Sequence, residues 1–274
     1  MSPSPRAGVA VGDDVALAEL ALTVGRAAAS LLLDALDRER TEVGTKSTPT
    51  DMVTEMDRAV ERVIVEGLHQ ARPGDAVLGE EGDLTTGTTG VLWCVDPIDG
   101  TTNYVYRLPG FAVSLAAIVD GETAVGVVID PLHGDEFVAR RGAGATRNGA
   151  PIAVSGAEDL SRALVATGFS YDAERRRRQA AVLQEVLPTV RDIRRSGAAS
   201  VDLCWVACGR VDAYYEKGLA PWDYAAGELI AREAGALTGD LDGGPVSGEF
   251  ALAASPALFE PMRSLLAAAG ARHA

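Results

Sequence analysis

The chain has 274 residues, of which 47% are hydrophobic and 23% are charged, an ordinary globular composition with enough apolar side chains for a large core. Its formal net charge of −14 disfavours nucleic acid as a partner, because an acidic surface repels backbone phosphates. The same charge repels a small phosphorylated substrate unless bound cations reverse the local potential, which leaves a metal-assisted reaction open.

The ends, cysteines and histidines set further expectations. Segment 1–12 is rich in Pro, Ser and Gly and lacks an apolar run long enough for a signal peptide or membrane span, so we predict a disordered tail. Residues 13–272 are predicted to form a single domain without membrane association. Three cysteines, an odd number, favour a reducing cytoplasm over a disulfide framework. The three histidines show no ligand spacing, which disfavours a zinc site.

The N-terminal half predicts two helices followed by strands. Apolar residues at helical spacing predict one helix from Asp13 to about Arg40 and another that is capped by Asp51 and ends at Arg72. A turn at Asp120–Gly121 joins two apolar runs and indicates an antiparallel meander. The predicted strands are 76–78, 91–95, 111–118, 123–129, 136–140 and 152–154.

The C-terminal half predicts further helices separated by strands. Helical patterns cover 173–186, 198–208, 223–234 and 256–268, and strands are predicted at 211–215 and 250–253. The sequence contains no dinucleotide-binding GxGxxG motif and no P-loop. Stacked layers of helix and sheet therefore fit this order of elements better than a doubly wound parallel sheet.

The most informative segment runs from Asp96 to Asn103, directly after an apolar strand, and reads Asp-Pro-Ile-Asp-Gly-Thr-Thr-Asn. Two carboxylates at the exit of a buried strand can share hard cations such as magnesium, which prefers oxygen ligands. Gly100 allows a ligand to approach the backbone, and the N–H groups of Gly100 and Thr101 would form an anion site if they open a helix. Metal-binding carboxylates beside phosphate-binding amides are typical of a phosphatase.

Three other acidic positions are weak signals when taken alone. Glu80 lies in a Gly-Glu-Glu-Gly segment after a predicted strand, where paired glutamates commonly solvate a loop. Asp223 starts a predicted helix and has an alternative role as its N-cap. Asp57 lies on the second helix, where exposed acids are normally solvating.

Together these segments resemble the inositol monophosphatase family. The motifs that carry the resemblance occur in family order and are Lys46 to Asp57, Gly79 to Glu81, Asp96 to Asn103, Gly197 to Ala199 and Glu216 to Gly227. The resemblance covers residues 14 to 270. It implies a layered αβαβα sandwich of the inositol monophosphatase/fructose-1,6-bisphosphatase type, within the α/β (α+β) class, assembled as a homodimer.

The resemblance also implies roles for individual residues. The implied ligands of two or three Mg²⁺ ions are Glu80, Asp96, the Ile98 carbonyl, Asp99 and Asp223, with Asp57 beside a further, weaker ion. The implied catalytic residues are Glu80 and Thr101, which position the attacking water, and Asp57, which orients the Thr101 hydroxyl. The implied substrate-binding residues are Gly100 and Thr101 at the phosphate, and Gly197, Ala198, Ala199 and Glu216 at the alcohol portion.

The implied reaction is hydrolysis of myo-inositol monophosphate by direct attack of water. Phosphatases that form an aspartyl-phosphate use an Asp-x-Asp arrangement, whereas the spacing here is Asp-x-x-Asp, so we expect no covalent intermediate. Lithium inhibition is implied as well. Alternatives on the same scaffold are histidinol phosphate, 3′(2′),5′-bisphosphate nucleotides and fructose 1,6-bisphosphate, with residues 167–172 and Glu216 as candidate specificity residues. A purely interacting, non-enzymatic role is less favoured because every expected acid is present.

Arg175 to Arg178 form a run of four cations in an otherwise acidic chain. The run follows Asp172 and Glu174, so one interpretation is a solvated helical turn. The other is a surface that steers anions or contacts another macromolecule. Both interpretations stay open at the level of sequence.

Overall fold

The computed structural model describes residues 11–36, 43–45, 52–82 and 84–274. Its helices are α1 (Val11–Leu36), α2 (Glu55–Ala71), α3 (Thr101–Tyr106), α4 (Ala173–Val186), α5 (Ala199–Ala207), α6 (Pro221–Glu233) and α7 (Pro256–Ala268). Its first nine strands are β1 (Val43–Thr45), β2 (Met52–Thr54), β3 (Ala76–Gly79), β4 (Val91–Asp99), β5 (Ala112–Val119), β6 (Glu122–Asp130), β7 (Asp135–Arg140), β8 (Ala145–Arg147) and β9 (Ala150–Pro151). The later strands are β10 (Leu164–Thr167), β11 (Asp192–Arg194), β12 (Ala213–Glu216), β13 (Leu237–Gly239) and β14 (Ala251–Ala254).

Two sheets form the centre of the molecule. The larger one has seven strands in the order β3-β4-β5-β6-β7-β8-β9; β3 is parallel to β4 and every later pair is antiparallel, which confirms the predicted meander. The smaller sheet has five strands in the order β11-β10-β12-β14-β13. It is mixed, because β10 is parallel to both neighbours while β14 is antiparallel to both of its own.

Helices cover and separate the two sheets. One core cluster joins α1 and α2 to the outer face of the large sheet. A second cluster places α5 and α6 between the two sheets, and a third packs α4 and α7 on the far face of the small sheet. The resulting order of layers is helix, sheet, helix, sheet, helix, as the αβαβα prediction states. Continuous packing through α5 and α6 supports the assignment of 13–272 to a single domain, which stays a prediction.

Helix α1 is apolar because it packs against α2 and the large sheet. By length and hydropathy alone, Asp13–Leu36 passes the test for a membrane-crossing helix. Its side chains Leu17, Ala21, Ala28 and Leu32 are fully buried in the core, however, and a core helix passes the same test. Core packing therefore explains the apolar stripe without a bilayer.

Several predicted boundaries were wrong. The second helix begins at Glu55 instead of Asp51, because residues 52–54 pair with 43–45 as a strand; pairing with another segment does not show in the periodicity of the segment itself. Residues 152–154 form no strand, and the N–H of Val154 donates to the Ala234 carbonyl instead. The helix expected to start at Asp223 begins two residues earlier. Residues 11 and 12 of the predicted tail 1–12 belong to α1, so the first helix begins two residues before Asp13; residues 1–10 lie outside the described residues, as do 37–42 after α1.

Candidate active site

Asp96 and Asp99 come from the end of β4, where the strand pairing is interrupted. In a regular strand, residues three apart point to opposite faces, so this spacing alone would separate the two carboxylates. Pro97 has no N–H for the ladder, and the register between β4 and β5 shifts between Asp96 and Asp99. With this irregularity, an oxygen of each carboxylate lies within 4.8 Å of the other.

Two more carboxylates reach the same place from distant segments. Asp223, in the first turn of α6, accepts a hydrogen bond from Ala220 N at 2.6 Å, and one of its oxygens lies within 4.8 Å of Asp96 and Asp99. Glu80 follows β3, which runs parallel to β4 and so ends at the same edge, and it hydrogen-bonds with Asp96. The four acids line one cavity of about 370 Å³.

Burial and mutual repulsion raise the pKa values of this cluster. For Asp96, the pKa is raised first by burial and then by the charges of Glu80, Asp99 and Asp223. Burial also raises the pKa of Asp223, and the charge of Asp99 adds to this. Burial raises the pKa of Asp99 to about 7, although hydrogen bonds from Ser200 favour its ionised form. A divalent cation would stabilise the ionised carboxylates, so these oxygen donors fit a hard metal ion.

The start of α5 fixes the orientation of Asp99. Its Oδ1 accepts a hydrogen bond from Ala199 N at 3.2 Å, and its Oδ2 accepts from Ser200 N at 2.7 Å and from Ser200 Oγ at 2.5 Å. The first N–H groups of a helix lack intrahelical acceptors, and the helix dipole there favours negative charge. The carboxylate of Asp99 therefore connects β4 of the large sheet to the helical layer between the sheets.

Asp57 lies behind the cavity, next to Thr101. It is fully buried on α2, and its Oδ1 is 3.1 Å from the Thr101 hydroxyl oxygen. That hydroxyl is also 3.0 Å from the Ile98 carbonyl oxygen, and its single proton can be donated to only one of the two at a time. Asp57 contacts the cavity through Thr101, which lines it together with Ile98. Lys46 and Asp51, from the same family motif, lie outside the described residues.

Gly100 forms the tight link between β4 and α3. Its φ of 89° lies in the left-handed region, which a glycine adopts without the steric penalty of a β-carbon. A β-carbon would also lie only 2.7 Å from the carbonyl oxygen of Gly110. Gly100 and Thr101 both line the cavity, so the first N–H groups of α3 lie at its wall, next to the acidic cluster.

Glu216 supplies a separate carboxylate at the end of β12. The hydroxyl of Tyr214 donates to its Oε2 at 2.7 Å, and the carboxylate packs so closely on Gly168 that a β-carbon there would lie 1.9–2.2 Å from it. Burial raises the pKa of Glu216, while the Tyr214 hydrogen bond and the positive charges of Arg195 and Arg175 oppose that rise. Glu216 is therefore a hydrogen-bond acceptor in the cavity wall, and the Tyr214 hydroxyl fixes the orientation of its carboxylate.

The remaining predicted substrate-binding residues occupy two different environments. Gly197 and Ala199 line the cavity, as do residues 168–171 of the predicted specificity segment. Ala198 is 2% exposed and is not among the lining residues. Its β-carbon lies 3.2 Å from the position of a β-carbon on Gly100, so it packs behind that glycine.

Glu61 is a buried acid that the sequence analysis did not single out. Its Oε2 accepts a hydrogen bond from Glu81 N at 2.8 Å. Its carboxylate fills the space left by Gly79 and Gly82, where β-carbons would lie 2.5 Å and 2.7 Å from its oxygens. Glu61 therefore supports the segment that carries Glu80.

Cations also line the cavity, and the sequence analysis did not place them there. They are Arg175, Arg195 and Lys217. Only Arg175 had drawn attention, as the first member of the arginine run. The site thus has an acidic part, formed by the clustered carboxylates, and a mixed part that contains Glu216 and the cations.

The chain is similar to known proteins over most of its length. Residues 13–273 match the model of the inositol monophosphatase family. The chain is 48% identical over 235 residues to an inositol-1-monophosphatase of Mycobacterium leprae, covering 82% of this chain and 81% of that protein. It is 42% identical over 234 residues to the Nus factor SuhB of Pseudomonas aeruginosa, covering 82% and 85%.

A solved structure shows the same fold. The extragenic suppressor protein SuhB of Bartonella henselae superposes with a TM-score of 0.88 at 32% identity, covering 92% of this chain and 98% of that one. The family match spans nearly the whole chain, and the cavity contains an acidic cluster that could hold a metal ion. The chain therefore belongs to the inositol monophosphatase family and is a phosphoric monoester hydrolase.

Proposed function

We propose that this phosphatase is Mg²⁺-dependent and hydrolyses myo-inositol monophosphate to myo-inositol and phosphate. The observation that carries the proposal is the convergence of Asp96, Asp99 and Asp223, with Glu80 beside them, next to the start of α3. Carboxylates favour a hard cation, and helix-start N–H groups favour a phosphate. The name of the Mycobacterium leprae relative supports the choice of substrate.

In this proposal each residue of the chain has a distinct task. Bound Mg²⁺, held by Glu80, Asp96, the Ile98 carbonyl, Asp99 and Asp223, supplies an acidified water and charge stabilisation. Glu80 and the Thr101 hydroxyl orient the attacking water, and Asp57 holds that hydroxyl at 3.1 Å. The N–H groups of Gly100 and Thr101 bind the phosphate. Because phosphoryl transfer needs mainly positioning and charge neutralisation, the residues require no protein nucleophile.

We assign the alcohol portion of the substrate to the Glu216 side of the cavity. A carboxylate accepts hydrogen bonds from hydroxyls or a cationic amine and repels a second phosphate. The Glu216 carboxylate thus favours myo-inositol monophosphate and histidinol phosphate over fructose 1,6-bisphosphate and 3′(2′),5′-bisphosphate nucleotides, whereas the cations in the same part of the cavity act in the opposite direction. Gly197 and Ala199 line the same cavity, whereas Ala198 packs behind Gly100 and supports the cavity wall indirectly.

A substrate panel tests the proposed function. Phosphate release is measured from myo-inositol 1-phosphate, histidinol phosphate, fructose 1,6-bisphosphate and 3′-phosphoadenosine 5′-phosphate, with magnesium and after chelation. We expect the largest kcat/KM for the inositol ester and loss of turnover on chelation. A higher kcat/KM for another ester reassigns the substrate, and full activity in chelator removes the metal from the mechanism.

The raised carboxyl pKa values predict a pH-dependent effect of metal on stability. Above the ordinary carboxyl pKa of about 4, the metal-free folded state keeps protons that the unfolded state has lost, so its stability falls as pH rises. For Asp99 this window extends to about pH 7. Magnesium binds the ionised form, so the Tm difference between magnesium and chelator is expected to grow from pH 5 to pH 8. Thermal unfolding measures it, and a difference that is constant or shrinks contradicts the prediction.

Further properties of the family complete the proposal. We propose a cytoplasmic homodimer that lithium inhibits by replacing a weakly held magnesium, and that binds neither nucleic acid nor membranes. The name Nus factor for the Pseudomonas aeruginosa relative raises a role in transcription beside catalysis. Such a role is compatible with an intact catalytic site, and an inactive but folded variant would separate the two.

A further inference from the structure

The arginine run divides into one residue in the cavity and three outside it. Arg175 is half-buried and lines the cavity, whereas Arg176, Arg177 and Arg178 are exposed. The direction of Arg175 is set at the start of α4, where Asp172 caps the helix by accepting a hydrogen bond from Arg175 N at 2.8 Å. The solvated-turn interpretation thus describes the last three arginines and does not describe the first.

Gly218 provides the surface on which the Arg175 guanidinium lies. A β-carbon on Gly218 would lie 2.4–2.7 Å from three guanidinium atoms of Arg175, so the guanidinium packs directly against the Gly218 backbone. Gly218 belongs to the loop between β12 and α6, which connects Glu216 to Asp223. The Arg175 guanidinium therefore packs against the chain segment that links the candidate substrate acceptor to a candidate metal ligand.

The donors of Arg175 are not taken up by other groups. Within the described ranges, its guanidinium forms neither an ion pair nor a hydrogen bond, whereas Arg177 pairs with Glu174 and Lys217 donates to the Arg272 carbonyl. A guanidinium offers five N–H donors in a fixed plane and no acceptor, and a carboxylate offers only acceptors. Adjacent hydroxyls of a polyol can donate to Glu216 and accept from Arg175 at once.

We propose that Arg175 is a specificity-determining residue that donates hydrogen bonds to the alcohol portion of the substrate, beside the acceptor Glu216. This inference rests on the proposed function, because it concerns the same cavity. In this role Arg175 distinguishes phosphate esters by the oxygen acceptors that they carry outside the phosphate group. An ester without such acceptors, for example phenyl phosphate, gains nothing from Arg175.

The test compares two substrates in two matched variants. Arg175→Met keeps a flexible apolar stem without donors, and Arg176→Met makes the same change on the exposed neighbour. For Arg175→Met we expect kcat/KM for myo-inositol 1-phosphate to fall about 10- to 100-fold, mostly through KM, because a hydrogen bond with a charged donor is lost. Phenyl phosphate turnover, Tm and all Arg176→Met values should stay at the wild-type level.

Two outcomes overturn the proposal. One is an unchanged kcat/KM for inositol 1-phosphate in Arg175→Met, and the other is an equal loss on both substrates, which indicates a structural role. If Arg175→Met does not fold, Arg175→Lys replaces it; this variant keeps the charge, loses the planar fork, and is expected to show the same selective loss to a smaller degree. Failure of the wild type to hydrolyse inositol phosphate refutes the proposed function separately. In that case kcat/KM of the wild type and of Arg175→Met is compared with the best oxygen-rich ester of the substrate panel instead.

Discussion

Asp99→Asn is expected to reduce kcat/KM by about 10³-fold, equivalent to about 4 kcal/mol of transition-state stabilisation. The substitution removes one charge from the cluster with Asp96 and Asp223 while preserving the size of the side chain. The amide oxygen can still accept from Ser200 N and Ser200 Oγ, so most of the contact with α5 survives, while the NH2 group cannot accept from Ala199 N. Steady-state kinetics with inositol 1-phosphate and saturating magnesium measures the loss.

Stability measurements separate this effect from misfolding. Removing one of several buried, mutually repelling carboxylates should leave the metal-free Tm at pH 8 equal to or above that of the wild type. The rise in Tm on adding magnesium should shrink. Asp159→Asn is the matched control, because Asp159 also accepts from a helix-start amide, Ser161 N at 2.9 Å, but is exposed. Full activity of Asp99→Asn, or an equal loss in Asp159→Asn, contradicts the assigned role.

The longest elements were predictable because their signals are local. Helices 173–186 and 256–268 have the predicted bounds, since each combines a helical pattern with a clear start, Asp172 in one case and Pro256 in the other. The antiparallel meander could likewise be predicted from apolar runs joined by turns. Together these elements were enough to predict layers of helix and sheet.

Short strands were not predictable, because the signals that define them are not local. The strands β10, β11 and β13 have three or four residues each, too few to show a period, and they exist because distant segments pair with them. The same limit explains β2, where residues 52–54 continue the apolar pattern of α2 but pair with 43–45. Pairing partners outside the segment itself decide whether such residues form a strand.

The chemistry of the site could be predicted from the sequence, but the geometry of the site could not. Three-residue spacing of Asp96 and Asp99 would separate them in a regular strand, and only the irregular pairing around Pro97 brings them together. Glu61 could have been found, because it lies four residues after Asp57 on the face of α2 that carries Ile64, and acids on a buried face need partners. Its glycine partners, Gly79 at the end of β3 and Gly82 in the loop that follows, could not have been found from the sequence, because only the fold brings them to Glu61.

Gly100→Ala is expected to lower both stability and activity. An alanine at a φ of 89° costs about 1–2 kcal/mol, and its β-carbon would lie 2.7 Å from the Gly110 carbonyl oxygen and 3.2 Å from the Phe111 α-carbon. Backbone atoms cannot move aside as a flexible side chain can, so overpacking adds about 1–3 kcal/mol. We therefore expect the free energy of unfolding to fall by about 3 kcal/mol in chemical denaturation.

Activity should fall further than the loss of folded protein explains. Gly100 joins Asp99 to Thr101, and relief of the clash would shift both; a displacement of about 1 Å can cost about 10²-fold in rate. Gly142→Ala is the matched control, because Gly142 has a φ of 72° with no atom within 4 Å of the added β-carbon. Gly142→Ala should lose only the free energy of unfolding that an alanine at positive φ costs, and its kcat/KM per folded molecule should be normal. If the two variants behave alike, Gly100 is required for its backbone conformation only, and the close approach behind it has no role in positioning the site.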